Sequence, residues 1–168
     1  MAIIAFMKIG SSPLHTVLTL PLLIAVAFSG FIYFEHFHLT SQLLNTFLAL
    51  GALYGLLFAP KKTLPITGFW IGLLWFYWIG FSFQYYGLGW ATWLVALGFG
   101  LVYALYFGLL SLSANPYLRS AILLALTFFY PMDFNWMQPE LIFVESYLGF
   151  EKWEFALILF ALASTSLF

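Results

Sequence analysis

The few side chains of this sequence that could do chemistry are concentrated in two short stretches. In the first stretch, Glu35, His36 and His38 lie close enough together to suggest a metal site. Two metal ligands on one helix are normally spaced i and i+4, and a complete site needs a third or fourth ligand. His15 would lie at the opposite end of the same predicted helix. We therefore expect no metal site here and interpret these residues as a hydrated helix end.

The second stretch, residues 133–154, holds the largest concentration of acids and one nearby cation, Lys152. Acids in or beside a membrane are a functional hypothesis by default, and the alternative is a solvated external loop. A serine hydrolase is not indicated, because there is no G-x-S-x-G elbow and no supporting Ser–His spacing. The sequence has no Cys, which excludes disulfides and cysteine nucleophiles within this chain. We expect no cofactor.

Composition indicates which solvent surrounds the protein. The 168 residues are 64% hydrophobic and only 7% charged, whereas a soluble domain usually carries about 25% charged residues. So few charges cannot cover a water-soluble surface, and lipid must be the solvent for most of the exterior. The net charge of −1 gives no reason to expect a nucleic acid partner.

Hydrophobic segments predict an all-α, polytopic transmembrane helix bundle of about six spans in a single membrane domain, 1–168. A spanning helix needs about 20 apolar residues, and the first four segments meet this length without a charged residue. The last segment is short, so either the final helix is short or the chain is the front part of something longer. The predicted spans are 14–34, 42–59, 64–83, 90–112, a half-helix at 119–130 followed by an interfacial or re-entrant stretch at 132–154, and 155–168.

Charge placement predicts the orientation of these spans. Lys8, Lys61, Lys62 and Arg119 fall in the N-terminal tail and in the second and fourth connections, whereas the acids fall in the first and fifth. Cytoplasmic loops accumulate Lys and Arg, so we predict a cytoplasmic N-terminus. Lys152 is the one exception to the pattern.

Small residues recur at four-residue spacing in three predicted helices. This spacing places a flat strip on one helix face, which lets two helix backbones approach closely. The strips predict packing inside the bundle, and the alternative is a homodimer face. The residues are Gly51 and Gly55, Gly68 and Gly72, and Gly100, Ala104 and Gly108.

Four short motifs of glycines and aromatic residues follow one another along the chain. They are Ala27-Phe28-Ser29, Gly68-Phe69-Trp70-Ile71-Gly72 with Trp78-Ile79 and Tyr86-Gly87, Phe134-Asn135-Trp136, and Tyr147-Leu148-Gly149-Phe150-Glu151 with Phe155. Their order and spacing resemble the N-terminal membrane domain of the apolipoprotein N-acyltransferase family. Gly30 and Asn135 stand where the family has Pro, and Glu154 stands where it has Asn.

The resemblance implies a role in lipoprotein maturation at the bacterial inner membrane, by N-acyl transfer from a phospholipid to a lipoprotein. In that family a Glu–Lys–Cys triad lies in a periplasmic nitrilase-like domain, for which this sequence has no counterpart. No catalytic residue is carried over, and we do not expect the chain to be active alone. It would anchor such a domain, on the same or a separate chain, and frame the entry of both lipid substrates.

The resemblance and the charge pattern together place the second acidic stretch at the outer face. Trp136 and Tyr147 would lie at headgroup depth, where amphipathic rings are favoured. Glu140, Glu145 and Glu151 would contact the catalytic domain or a headgroup amine.

A different class of function is also open at this point. The chain could be a stand-alone small membrane protein that binds or transports a lipid or another apolar molecule. Transport of an ion or sugar needs a polar path or paired ionisable groups inside the bundle, and the first four spans contain no charged residue. A remnant without activity is a third interpretation.

Overall fold

The computed structural model describes residues 13–39, 41–130 and 138–167. These residues are mostly helical and include no β-strand, which confirms the predicted all-α fold. Short 3₁₀ helices extend or connect the α-helices at Lys61–Thr63, Tyr77–Tyr86, Leu109–Leu112, Pro139–Phe143 and Thr165–Leu167. The α-helices within the described ranges are α1 (Pro13–His36), α2 (Gln42–Phe58), α3 (Leu64–Phe76), α4 (Ala91–Gly108), α5 (Pro116–Leu126) and α6 (Lys152–Ser164).

Three helical segments are long and apolar enough to cross a membrane, namely Leu18–His36, Lys61–Tyr86 and Ala91–Leu112. α2 and α5 are apolar but shorter. At 1.5 Å per residue, α5 extends only about 17 Å, against about 30 Å of hydrocarbon. The predicted fifth span, 119–130, is therefore a half-length helix in the structure, beginning at Pro116 and ending at Leu126.

The outward face of α4 shows what surrounds the bundle. Its exposed side chains are large and apolar, and α4 contains no charged residue. Such a face is stable against acyl chains and unfavourable in water. The exposed residues are Trp93, Leu94, Leu97, Leu101, Val102 and Leu105.

The third predicted span changes helix type part of the way along. It is α-helical to Phe76 and continues as the Tyr77–Tyr86 3₁₀ helix. The backbone of Phe76 (φ −126°, ψ 1°) leaves the helical region there, and the indole N–H of Trp78 donates to the Trp75 carbonyl at 2.8 Å. The Gly80 carbonyl in turn accepts a hydrogen bond from Thr92 Oγ1 at 2.9 Å, which ties this helix to the start of α4.

An aromatic cluster within the core lies between α1, α3 and α4. Phe28 packs 5.5 Å from Trp75 and 5.7 Å from Phe107, measured between ring centroids. Tyr103 stacks on Phe107 in the same cluster. Offset and edge-on ring pairs of this kind each contribute about 0.5–1.5 kcal/mol beyond burial of their surface.

Most of the predicted small residues lie against another helix. A Cβ atom added to Gly72 would lie 2.5 Å from the Phe99 carbonyl oxygen, and one added to Gly68 would overlap the Tyr103 carbonyl. α3 and α4 therefore form the most extensive helix pair in the described chain.

The other members of the strips differ in their surroundings. A Cβ atom on Gly55 would lie 2.8 Å from Ile24 Cγ1, and one on Gly100 would lie 2.8 Å from Phe69 Cε2. Gly108 leaves ordinary space beside Pro65, at 3.7 Å, and Ala104 is half-buried on α4. Gly51 faces open space, with no described atom within 4 Å of an added Cβ.

The charged residues separate to the two ends of the bundle. We call the end that carries Lys61, Lys62 and Arg119 the basic end, and the end that carries Glu35 and Glu145 the acidic end. At the basic end, Lys61 Nζ donates to the Leu112 carbonyl at 3.3 Å. Arg119, which the charge pattern assigned to the fourth connection, lies in the first turn of α5 and is only 1% exposed.

Carbonyl oxygens surround the Arg119 guanidinium. Nη1 donates to Leu57 at 2.9 Å and Ala59 at 2.7 Å, and Nε donates to Ser113 at 2.8 Å. Longer bonds reach Leu56 and Leu110. These carbonyls belong to helix C-termini, where the last turn has no intrahelical donor and carries negative partial charge. Arg119 thereby joins the end of α2 to the connection that follows α4.

Candidate functional site

Residues 138–151 close the acidic end of the bundle. Pro139, Glu140, Ile142 and Phe143 are buried, and Phe143 packs against Phe155 of α6 with ring centroids 6.4 Å apart. The described part of this stretch is therefore packed into the core rather than solvated. Five carboxylates of the chain, those of Glu35, Glu140, Glu145, Glu151 and Glu154, lie at this end.

The turn after the Pro139–Phe143 helix is attached to the first turn of α2. Asn45 Nδ2 donates to the Glu145 carbonyl at 3.2 Å, and the Tyr147 N–H donates to Thr46 Oγ1 at 3.0 Å. Glu145 has φ of +56°, a left-handed conformation that is uncommon for a residue other than glycine. The two contacts hold this conformation, and they leave the ring of Tyr147 68% exposed.

Glu140 is the buried acid of this end. It is only 4% exposed, and its Oε2 has no hydrogen-bond partner among the described residues. Burial raises the pKa of the Glu140 carboxyl, and its own backbone N–H and the charge of Lys152 offset this only in part. The neutral carboxyl is therefore favoured here more than it would be in water, because an unpaired carboxylate in this environment is costly.

Lys152 has local partners that explain why a cation lies at the acidic end. Its Nζ donates to the Thr127 carbonyl at 2.6 Å and to the Tyr130 hydroxyl at 2.7 Å. The same ammonium lies 4.2 Å from the centroid of the Phe128 ring. Lys152 thus caps the C-terminal end of α5, a position where a cation is stabilised by the helix carbonyls.

Glu151 and Glu154 form a capping box at the start of α6. The Glu151 side chain accepts from the backbone of Glu154, whose carboxylate accepts the Glu151 N–H at 3.0 Å. A Cβ atom on Gly149 would overlap the Glu154 carboxylate, so a larger residue there would displace the Glu154 side chain from the capping box. Glu151 therefore satisfies backbone groups of the helix end instead of reaching outward.

The structure describes the predicted residues at the end of α1 but not Trp136. Trp136 lies outside the described residues. Glu35, His36 and His38 are exposed near the end of α1. Within the described ranges, no three His, Asp or Glu side chains converge as metal ligands would.

Two adjoining clefts lie at the acidic end, and the sequence did not predict them. One, of about 600 Å³, lies between the end of α1 and the Tyr77–Tyr86 helix, and the other, of about 500 Å³, lies beside it. Ile32 and Trp78 line both clefts, and both clefts are open to the surroundings of the bundle. The density of aromatic residues in 75–86 was the only sequence signal for them, and it did not distinguish a cleft wall from a lipid-facing surface.

A comparison with known protein families finds one match over nearly the whole chain. Residues 15–167 match the family described as apolipoprotein N-acyltransferase integral membrane domain. No solved structure matches the chain.

Curated relatives with similar sequences carry the same name. Apolipoprotein N-acyltransferase from Wolinella succinogenes is 42% identical over 139 residues, covering 83% of this chain and 34% of the relative. The enzyme of that name from Helicobacter hepaticus is 36% identical over 122 residues, covering 73% and 30%. That from Campylobacter jejuni is 33% identical over 115 residues, covering 67% and 26%. The chain thus spans about a third of the length of these relatives.

Proposed function

This chain belongs to the family of apolipoprotein N-acyltransferase integral membrane domains, and on that premise we propose that it is the membrane scaffold of a bacterial lipoprotein N-acyltransferase. It would hold a nitrilase-like catalytic domain, on the same or a separate chain, above the acidic end. There it would frame lateral entry for a phospholipid acyl donor and a lipoprotein. The observation that carries this proposal is the packed, tethered segment 138–151, which presents Tyr147 outward.

The orientation that this function needs is supported by the charges. Lys61, Lys62 and Arg119 share the basic end, and cytoplasmic surfaces accumulate such residues. The basic end would face the cytoplasm, and the acidic end would face the periplasm of a bacterial inner membrane. An N-terminus before α1 would then be cytoplasmic.

Each predicted site residue has its own part in the proposal. Exposed Glu145 and Tyr147 would contact the catalytic domain or a lipid headgroup, and Trp136 would lie at headgroup depth. Glu140 and Glu151 would act indirectly, because the first is buried and the second caps α6. They would fix the shape of the surface that the other three present.

A second candidate function is a stand-alone lipid-binding membrane protein. The adjoining clefts at the acidic end favour it, since a volume of several hundred Å³ lined by apolar rings suits a lipid chain. The two functions differ in what they require: the scaffold needs a catalytic domain, whereas the binding protein does not.

A chimera tests the scaffold proposal. The chain would be joined to the remainder of the Wolinella succinogenes relative and expressed in bacteria depleted of their own N-acyltransferase. We expect the chimera to restore lipoprotein N-acylation, measured by mass spectrometry of a lipoprotein N-terminus. Tyr147→Ala with Glu145→Gln should lower the rate about two- to fivefold, the effect of losing about 0.5–1 kcal/mol of surface contact.

The matched control for this test is Phe160→Ala. Phe160 is a 63% exposed aromatic residue about two turns into α6, away from the acidic end, so its replacement should leave N-acylation unchanged. A chimera that accumulates in the membrane without acylating lipoproteins would contradict the scaffold proposal. An unchanged rate of N-acylation in the Tyr147 and Glu145 double variant would show that these two residues do not contribute to the scaffold function.

A further inference from the structure

We propose that a water-filled recess enters the membrane from the acidic end of the bundle, with the start of α6 at its floor. The recess lies above α5 and α6, which are 11 and 13 residues long. It follows from helices that are level at the basic end but unequal in length. This inference goes beyond the scaffold function, and it needs neither a catalytic domain nor a particular orientation in the membrane.

Hydrogen bonds set the helices level at the basic end. Arg119, in the first turn of α5, donates to the Ala59 carbonyl after α2 at 2.7 Å and to the Ser113 carbonyl after α4 at 2.8 Å. Lys61, in the turn before α3, donates to the Leu112 carbonyl beyond α4. The starts of α3 and α5 and the ends of α2 and α4 therefore lie at one level.

From this level, α5 rises only about half as far as α4. At 1.5 Å per residue, the 11 residues of α5 rise about 17 Å. The 18 residues of α4 and the 3₁₀ helix Leu109–Leu112 together rise about 35 Å, enough to cross about 30 Å of hydrocarbon. The upper end of α5 therefore lies near the middle of the membrane.

A ring contact with α4 agrees with this depth. Phe129, which follows the end of α5, packs against Tyr106 with ring centroids 6.0 Å apart. Tyr106 lies near the end of α4 at Gly108, whereas Ala91, where α4 begins, lies about 22 Å farther along the helix axis. The chain that leaves α5 is thus still far below the acidic end of α4.

α6 begins at the same depth, because it packs antiparallel to α5. Tyr117 Oη donates to Ser164 Oγ at 3.4 Å near the basic end, and Lys152 Nζ donates to the Thr127 carbonyl at 2.6 Å at the other end of the pair. The start of α6 thus places the Lys152 ammonium and exposed Glu151 at membrane depth. Charged side chains at this depth are costly in lipid, and they face a bundle interior or a water-filled cavity.

The backbone beside the start of α6 is irregular. Residues 127–130 follow α5 and residues 148–151 precede α6, and neither range is helical. Non-helical backbone within a membrane must be buried in protein or line a cavity that holds water. The described chain does not bury these ranges, since Phe128 is 58%, Phe150 53% and Trp153 64% exposed. A water-filled recess accommodates both the charges and the backbone groups.

Single spin labels test the recess, and the absence of Cys from the sequence lets one substitution carry each label. The full 168-residue chain would be reconstituted in phosphatidylcholine vesicles with a neutral nickel chelate on both sides. Trp153→Cys places a label at the floor of the recess. The matched control is Leu101→Cys, at a 61% exposed position of α4. Leu101 has a similar height, about 15 Å above the basic end.

The nickel chelate should reach the floor of the recess but not the lipid-facing control. We expect it to collide about tenfold more often with the Trp153→Cys label than with the Leu101→Cys label, because tenfold exclusion from hydrocarbon requires only about 1.4 kcal/mol. Molecular oxygen, which concentrates in hydrocarbon, should show the opposite order. Phe150→Cys should behave as Trp153→Cys does, and it decides the test if Trp153→Cys does not elute from size-exclusion chromatography as the unchanged chain does.

A label one turn deeper locates the floor. Leu157 is 60% exposed on α6, and the label of Leu157→Cys should report hydrocarbon, as Leu101→Cys does. Exclusion of the chelate from the Trp153→Cys label to the extent seen at Leu101→Cys would overturn the proposal. Equal access at Trp153→Cys and Leu157→Cys would overturn it as well, because the start of α6 would then be no floor. Neither result bears on the scaffold, which the acylation assay of the chimera tests separately.

Discussion

Arg119 shows how a charge is kept inside this bundle with no acidic partner among the described residues. Burying an isolated guanidinium is costly, but here five backbone carbonyls from two helix ends accept its hydrogen bonds. Those carbonyls lie at helix ends, where they have no donor within their own helix. One side chain thus satisfies the end of α2 and the connection between α4 and α5.

Replacing Arg119 with Lys tests this arrangement. The ammonium of Lys keeps the positive charge but cannot reach both carbonyl groups at once, since it lacks the planar fork of Arg. Losing one or two charge-assisted bonds should destabilise the bundle by about 3 kcal/mol. The measurement is thermal unfolding in detergent, followed by size-exclusion chromatography of the heated protein.

The matched control is Lys62→Gln, which removes an exposed charge at the same end. It should shift the unfolding temperature little, because exposed charges contribute at most about 1 kcal/mol. If Arg119→Lys unfolds at the temperature of the unchanged chain, the guanidinium does not hold these helix ends together.

For single residues, the sequence predicted which end of the bundle carries each sign of charge better than it predicted hydrogen-bond partners. Arg119 was assigned to the basic side because the orientation rule uses only the charge. Three of the carbonyls that it binds belong to the end of α2, about sixty residues earlier in the sequence, and local sequence does not show that this helix end lies beside Arg119. The spacing of Glu151 and Glu154 is that of a capping box, but Glu replaces the usual Ser or Thr at its first position. The sequence analysis therefore interpreted Glu151 as a surface contact instead.

Among the elements, the pairing of α3 with α4 depends most directly on residue size. Gly68 and Gly72 on α3 let the α4 backbone approach closely, and the ring of Phe69 on α3 packs against Gly100 on α4. In a membrane, helix association depends on such close packing because lipid chains are as apolar as the side chains. Among the small residues of the three strips, only Gly51 is both exposed and without a described neighbour. A homodimer face built on these strips could therefore use only Gly51.

Two alanine substitutions form a matched test of this pairing. Gly72→Ala places a methyl group 2.5 Å from the Phe99 carbonyl oxygen, so α3 and α4 must separate. Overpacking of this kind should cost about 1–3 kcal/mol. Gly51→Ala meets no described atom and should leave stability unchanged or raise it by up to about 1 kcal/mol.

Thermal unfolding in detergent, with both variants prepared in the same way, compares the two. The expected result is a lower midpoint for Gly72→Ala alone. Equal midpoints would mean that α3 and α4 do not pack as closely as the structure shows.

Helix boundaries were the part of the elements that the sequence predicted least well. Hydropathy identified 64–83 as one span, but the α-helix changes to 3₁₀ geometry after Phe76. The indole of Trp78 donates to the Trp75 carbonyl and Thr92 donates to the Gly80 carbonyl beside that change. Hydropathy does not register hydrogen bonds between side chains and backbone, so the boundary could not be predicted.

For the whole molecule, the alternation of charges along the sequence becomes a separation in space. Each connection places its charges at one end, so the basic residues of the second and fourth connections meet, as do the acids of the first and fifth. The sequence predicted this topology because spans and charges are local features. The clefts and the burial of Glu140 required packing between α1, the Tyr77–Tyr86 helix and residues 138–151, and no local pattern encodes them.

Cysteine accessibility in intact cells tests most directly the claim that the acidic end is the outer, substrate-facing end. The sequence contains no Cys, so single substitutions at exposed Tyr147 and exposed Lys62 give unambiguous labels at the two ends. A membrane-impermeant maleimide should modify Tyr147→Cys from outside the inner membrane, and Lys62→Cys only after permeabilisation. Labelling of Lys62→Cys in intact cells, with Tyr147→Cys protected, would contradict the orientation and the scaffold function built on it.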